Sequence, residues 1–245
     1  MKNKEIYGIC LFVMIVFSLV FSNSCKKENA NPSGFETDSI SDIDGNVYKT
    51  VKIGNQWWTA ENLKTKRFRN GDSITFVNEI NYNLDSTKWH DIYTSSYCLN
   101  GFGFLYNFYT INDQRNIAPI GWHIPGDDEW KELEKYLGMN EDDADRVNWR
   151  GSNEGNKLKN QKGWNNSLNT IELWGTNESG FSAIASSCRM FTGDWGSDGT
   201  GFWWTSSVKE DQAWYRYLDI NKANIFRYYG PKNYGFSIRC VKDKN

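Results

Sequence analysis

Residues 119–138 restrict the possible folds more than any other segment, because they predict one amphipathic helix entered through a sharp turn. Apolar side chains recur there at helical spacing and should share one face; they are Trp130, Leu133, Tyr136 and Leu137. Pro119 and Pro125 bracket the turn before the helix and restrain its backbone. We expect a helix packed across a β-sheet, with Trp122 anchoring the chain where the helix begins.

The ends of this helix are also predicted. Gly126 can act as the N-cap residue, and Glu129, three positions later, can reach back as in a capping box. Residues 127–129 are acidic and fall in the first turn, where negative charge suits the helix dipole. Gly138 suits the position just after the last turn. Acidic clusters of this kind, here and at residues 141–143, usually form a solvated face.

Strand-like segments should lie on both sides of the helix. Apolar and polar residues alternate over residues 47–53, and a Gly-Asn turn leads into a second run at residues 56–60. We expect a second short helix within residues 140–160, a long loop over residues 77–96, and short aromatic strands after Gly163. Two central helices with strands at both ends predict an α+β domain.

The N-terminus resembles an export signal. Lys2 and Lys4 precede an uncharged apolar run over residues 6–21, which is shorter than the roughly 20 residues of a membrane-spanning helix. Residues 1–24 are therefore predicted to be a signal peptide. Small and polar residues then lead to Cys25, the layout of a bacterial lipobox, in which the cysteine thiol is acylated. An ordinary signal peptide and a membrane-anchor helix are the alternatives.

Lipidation at Cys25 would place the protein in the cell envelope. Several acyl chains, palmitate among them, anchor a protein stably where one chain does not. Residues 25–41 are polar and show no periodicity, so we expect a flexible tether there, followed by one folded domain over residues 42–245. We expect attachment to the outer membrane and leave exposure at the cell surface open.

Charge and composition argue against several kinds of binding partner and catalytic site. The chain carries a net charge of −2 and no basic stripe, so nucleic acid is not an expected partner. His90 and His123 are the only histidines. Two histidines give little material for a zinc site, which needs about four ligands, or for a catalytic triad built around a histidine. There is also no Gly-x-Ser-x-Gly nucleophile elbow. Asp194 and Asp198, in a Gly-rich loop, leave calcium as the one cofactor to consider.

Aromatic side chains in the second half of the chain are the candidate ligand-binding residues, because aromatic faces stack on sugar rings. They are Trp195, Trp203, Trp204, Trp214, Tyr228 and Tyr229. The competing interpretation is that most of them belong to the core. Trp203 and Trp204 are adjacent on a predicted strand and point to opposite faces, so one of them must face a second layer, a loop or solvent.

Several segments together resemble a known family; they are residues 42–63, 103–110, 121–130, 175–183, 201–207 and 235–243. Their order and spacing are similar to those of the Fibrobacter succinogenes major paralogous domain, which occurs in secreted and lipid-anchored bacterial proteins. The resemblance implies a C-type-lectin-like fold, with the N- and C-terminal strands close together and a long-loop region. It implies no defined activity.

The cysteines depart from the family pattern. Members often carry a cysteine directly before the proline at position 119, where this chain has Ala118. The bridge from that position to Cys240, which lectin-like folds imply, cannot form here. Cys98 with Cys240, or Cys188 with either, are the remaining candidate disulfides, so at least one of the three stays unpaired.

The favoured function is a binding module: a lipid-anchored envelope domain that recognises a glycan or a protein. A structural or adhesion component of an envelope assembly is the alternative. An enzyme is the third possibility, and we expect no catalytic activity because the usual nucleophiles and bases are missing. Fold alone does not decide among these, since one fold hosts many functions.

Overall fold

The computed structural model describes residues 34–77, 96–99, 103–164, 175–190 and 196–244. Within these ranges the chain forms three β-sheets and four helices, which confirms the predicted α+β class. The strands are β1 (Thr37–Ser41), β2 (Val47–Ile53), β3 (Gln56–Thr59), β4 (Thr75–Phe76), β5 (Ser96–Leu99), β6 (Phe104–Tyr106), β7 (Trp122–His123), β8 (Asn148–Arg150), β9 (Thr200–Lys209), β10 (Gln212–Asp219), β11 (Ile225–Gly230) and β12 (Val241–Lys242). The helices are α1 (Phe108–Ile111), α2 (Asp127–Tyr136), α3 (Glu141–Asp145) and α4 (Glu154–Leu158).

The five-stranded sheet joins the two ends of the described domain. Its order is β1-β2-β3-β12-β7, and its pairs are antiparallel. Val241 of β12 lies opposite Trp58 of β3 on one side and His123 of β7 on the other. The C-terminal strand is therefore held between the N-terminal hairpin and the turn that leads into α2.

The four-stranded sheet carries most of the predicted aromatic strands. Its order is β8-β11-β10-β9, all antiparallel, with a bulge on β9 and β10 between Ala213 and Tyr215. Strand β8 is short and pairs with β11 only as far as Arg227, opposite Asn148. Strand β11 then continues to Gly230. The third sheet has the order β4-β5-β6, with β4 and β5 parallel.

Helix α2 forms as its sequence predicts. Gly126 is the N-cap residue, and its backbone N–H donates to the Glu129 carboxylate at 2.9 Å, as in a capping box. The helix ends at Tyr136, and Gly138 follows with a φ of +116°, a conformation that favours glycine. Trp130 and Leu133 are fully buried, so this face packs into the core.

Tyr136 does not share that buried face, contrary to the sequence prediction. It is 66% exposed. Six residues after Trp130, it lies about 120° around the helix axis from the tryptophan, at the margin of an apolar stripe. Its ring instead covers the turn between β2 and β3, where a Cβ added at Gly54 would lie 2.8 Å from Tyr136 Cδ2.

Two predicted boundaries need correction. The second helix breaks into α3 and α4 with β8 between them, because Asn148 and Gly151 have φ values of +67° and +75°, outside the helical region. The tether predicted to reach Ser41 ends earlier, since Thr37–Ser41 pairs with β2. A polar edge strand such as β1 shows no hydrophobic period. Residues 78–95 of the predicted long loop lie outside the described residues.

The strands predicted after Gly163 are partly confirmed. Residues 201–206, 213–220 and 224–229 coincide with β9, β10 and β11. The segment predicted as a strand at residues 180–185 forms only an isolated bridge, between Lys159 and Ala183.

A buried ionic network fixes α2 against the four-stranded sheet. Asp127, at the start of α2, accepts from Arg216 of β10 at 2.7 Å and from Arg227 of β11 at 2.6 Å. In the last turn of α2, Glu134 accepts from Arg216 at 2.6 Å and from Arg150 of β8 at 2.7 Å. The prediction that the acidic first turn is solvated is therefore wrong for Asp127, which is 6% exposed.

Removing one partner from this network should destabilise the fold strongly. In Glu134→Ala the guanidinium groups of Arg150 and Arg216 lose a buried counter-charge, and breaking such a pair costs about 3–5 kcal/mol. Urea unfolding of the wild-type and variant proteins measures the difference. The matched control is Glu132→Ala on the same helix, whose ion pair with Lys244 is partly exposed and should contribute about 0–1 kcal/mol. Equal effects of the two substitutions would contradict the assignment.

Candidate functional site: an aromatic platform at the end of β11

Two of the predicted ligand-binding residues are core residues. Trp203 and Trp204 are both completely buried, so the prediction that they bind a ligand is corrected. Their indole N–H groups donate inside the protein, to Asn62 Oδ1 and to the Tyr106 carbonyl, each at 2.9 Å. They point to opposite sides of β9 and join different apolar clusters, which confirms that one of them faces a second layer.

Three other predicted residues come together at one end of the sheet. Trp214 of β10 lies opposite Tyr229 of β11, and their ring centroids are 5.0 Å apart at an interplanar angle of 84°. Tyr228 stacks on Tyr229 at 4.6 Å and 8°. All three side chains are half-buried. We call Trp214, Tyr228 and Tyr229 the aromatic platform. Trp195, the sixth candidate, lies outside the described residues.

The platform lies beside the buried ionic network. The guanidinium carbon of Arg227 is 3.8 Å from the centre of the Trp214 ring, a cation–π contact. Arg227 also forms a fork on the carboxylate of Asp127, with distances of 3.0 and 2.6 Å. Burial acts to raise the pKa of Asp127, but hydrogen bonds from Arg227 and the charge of Arg216 outweigh it and hold that pKa well below its usual range.

Further aromatic rings lie on the face of the four-stranded sheet opposite Arg216 and Arg227. One row crosses all four strands, and its members are Trp149, Phe226, Tyr217 and Phe202. Within it Phe202 and Tyr217 are stacked at 4.4 Å and 7°. All four are half-buried. The Tyr217 hydroxyl donates to Asp219 at 2.6 Å, and burial together with this contact raises the pKa of Tyr217 above its ordinary value.

The predicted disulfides are not formed. Cys98, Cys188 and Cys240 are all free and buried. Each belongs to a different apolar cluster. Burial raises the pKa of each thiol to about 12, so these thiols are protonated at neutral pH and are poor nucleophiles.

Among the described residues, no group of three or more His, Cys, Asp or Glu side chains is arranged to hold a metal ion. Asp198 is exposed, and Asp194, its predicted partner for calcium, lies outside the described residues, as does His90.

His123 forms an ion-pair clamp at the start of α2. Its two ring nitrogens contact Asp243 Oδ1 at 2.6 Å and Glu129 Oε1 at 2.9 Å. The hydrogen bond with Glu129, and then the one with Asp243, raise the pKa of His123. Burial acts to raise the pKa of Glu129, but hydrogen bonds from His123 and Gly126 lower it overall. The histidine therefore ties the capping box to the C-terminal segment.

The comparison with family models agrees with the resemblance found in the sequence. The model described as the Fibrobacter succinogenes major domain matches residues 51–242. The chain belongs to this family. Searches of curated proteins and of solved structures give no match.

The Fibrobacter succinogenes major domain runs from the end of β2 to β12 and so contains the platform, its supporting arginines, and His123 and Glu129 of the clamp, while Asp243 lies one residue past the match. Strand β1 lies before the matched residues. In the part of the family domain and its flanks that the structure describes, there is no helix long and apolar enough to cross a membrane.

Sequence reasoning missed Arg216 and Arg227, which support the platform. A signal was present: each arginine shares a strand face with apolar or aromatic residues two positions away on both sides, Trp214 and Leu218 for Arg216, and Ile225 and Tyr229 for Arg227. A buried charge needs a partner, and the acidic residues of α2 are the partners that the structure shows.

The His123 clamp should make stability depend on pH in a defined direction. Because the folded-state pKa of His123 is raised above its ordinary value of 6.5, its stabilisation is fully present below that value and is lost as the pH rises through the folded-state pKa. Because the pKa of Glu129 is lowered, its carboxylate loses its charge, and with it the ion pair to His123, only at acidic pH. Thermal melting of wild type and His123→Gln should therefore differ most near pH 6 and least near pH 9. A difference in melting temperature that does not change with pH would contradict this account.

Proposed function

We propose that this chain is a lipid-anchored cell-envelope protein whose C-type-lectin-like domain binds a glycan through the aromatic platform. The observation that carries the proposal is the grouping of Trp214, Tyr228 and Tyr229, which remain half-buried while Trp203 and Trp204 are fully enclosed. Partly exposed aromatic rings on a rigid support suit the apolar faces of sugar rings, because little conformational entropy is lost on binding.

The proposed role is binding without catalysis. The three described thiols are buried and protonated. His123 already contacts two carboxylates. Asp127, whose pKa is lowered, is held by Arg216 and Arg227 inside the protein. Asp127 lies beside the platform but is enclosed by its arginine partners, and acid–base or nucleophilic chemistry needs a group that can reach the substrate.

A melting-temperature scan against defined saccharides tests the proposal. The probes are cellohexaose, mannohexaose and N-acetylchitohexaose, with calcium chloride as a separate arm. Specific binding to the folded state stabilises it by about 2.7 kcal/mol at a hundredfold excess over Kd. We expect one saccharide to raise the midpoint, and Trp214→Ala to weaken its binding by about 2 kcal/mol, as for a central aromatic contact.

The matched control is Tyr136→Ala, an exposed aromatic side chain on α2 outside the platform, which should leave the affinity unchanged. Equal losses in Trp214→Ala and Tyr136→Ala would contradict a site at the platform. A shift with calcium alone would point instead to the segment that contains Asp194 and Asp198.

The lipid anchor has its own test. Cys25→Ser removes the only thiol that the predicted lipobox can acylate. We expect wild type to incorporate an alkyne-tagged palmitate analogue and to sediment with the outer-membrane fraction, because several acyl chains give stable anchoring. The variant should lose the label and leave that fraction. Cys98→Ser is the matched control and should keep both; a variant Cys25→Ser that retains the label would contradict acylation at this residue.

A structural role in an envelope assembly is the second candidate. It is favoured by the aromatic row on the other face of the sheet. There Phe202 and Tyr217 stack at 4.4 Å within a row of half-buried rings that crosses all four strands. A continuous apolar strip of this kind suits burial against another protein. Co-purification of a partner that is lost in Tyr217→Ala and kept in Trp214→Ala would favour this second role.

A further inference from the structure

Arg227 lies against Trp214 but is committed to the protein interior. The side chain is 5% exposed, and each guanidinium nitrogen already donates a hydrogen bond. Nε and Nη2 donate to the Asp127 carboxylate at 3.0 and 2.6 Å, and Nη1 donates to the carbonyls of Asp145 and Arg146 at 2.7 and 3.3 Å. A group held along these edges cannot swing outward to meet a ligand without breaking several bonds.

Because the edges of the Arg227 guanidinium are occupied by these hydrogen bonds, it contacts the platform through its flat face. Its carbon lies 3.8 Å from the Trp214 ring centre, close enough for the two planar groups to be in van der Waals contact. Tyr229 meets the same ring at 84°. The orientation of the Trp214 ring is therefore restricted by a buried cation and by an aromatic neighbour, although the ring lies at the surface.

We infer that Arg227 is the positioning residue of the platform: held by Asp127, it fixes the orientation of Trp214 and so prepares the ring to receive a sugar. The sugar-binding part of this inference rests on the proposed function. The orientation of the ring does not, and it is measured separately.

The competing explanation is that Arg227 serves only to attach α2 to the sheet. Glu134 separates the two explanations, because it belongs to the same network but bonds to Arg216 and Arg150 rather than to Arg227. A variant at Glu134 lowers stability without touching the cation beneath Trp214. A change that merely loosens the fold should affect both variants alike.

The experiment uses the protein labelled with 5-fluorotryptophan, with the Trp214 fluorine resonance assigned from its loss in Trp214→Phe. In Arg227→Lys the charge stays but the planar fork is lost, so the Trp214 resonance should shift and broaden. Arg146→Lys is the matched control at an exposed arginine of the adjoining segment, and Glu134→Gln is the stability control. Both should leave the resonance in place. If Arg227→Lys does not fold, Arg227→Gln removes the fork while Asp127 keeps its ion pairs with Arg216 and Lys131, and the Trp214 resonance should again shift.

Binding of cellohexaose, mannohexaose and N-acetylchitohexaose is then measured by calorimetry. With a ring no longer pre-oriented, Arg227→Lys should bind the recognised saccharide roughly two- to tenfold more weakly, while Glu134→Gln binds it as wild type does. A Trp214 resonance that is unchanged in Arg227→Lys overturns the inference, whether or not a saccharide binds. If the Trp214 resonance moves but the affinity for the saccharide does not fall, the claim that the fixed ring orientation aids sugar binding is overturned. If wild type binds none of the three saccharides, the proposed function fails for these probes, and the resonance alone decides the positioning role.

Discussion

The placement of α2 on the four-stranded sheet depends on five charged side chains buried together. Three arginines, Arg150, Arg216 and Arg227, meet two carboxylates, Asp127 and Glu134. Taking such groups out of water is costly, and only good geometry with further hydrogen bonds compensates for it. The network is therefore weak evidence of high stability. It selects one arrangement, since sliding α2 by a turn would leave several charges buried without partners.

That constraint extends to the surface through Arg227. The same guanidinium that fixes the start of α2 lies beneath Trp214, so the orientation of a surface ring is set by core electrostatics. On the opposite side of the sheet, the charged groups Asp219 and Lys222 contact the aromatic row at Tyr217 and Trp149. That side is built from aromatic rings packed against Phe236 and Trp204. The two faces of β10 therefore have different chemistry, although alternation along one strand produces both.

Local rules predicted the elements better than the site. The capping box at Gly126 and the stop at Gly138 depend on neighbours within a turn, and both form. Which aromatic residues remain exposed depends instead on which layers cover each face. Trp203 and Trp204 therefore proved to be core residues, whereas Trp214 stayed at the surface. The three cysteines were misjudged for the same reason, because their separation into different clusters is a property of the tertiary fold.

The platform exists because two neighbouring strands differ in length. Strand β8 pairs with β11 only up to Arg227, opposite Asn148, whose φ of +67° turns the chain away. Tyr228 and Tyr229 lie beyond that point on β11, beside Trp214 on β10. Had β8 continued for another pair of residues, its side chains would have flanked the tyrosines as Trp149 flanks Phe226. A residue with positive φ at the end of a short strand thus leaves the two tyrosine rings half-buried, beside a tryptophan that rests on Arg227 of the ionic network.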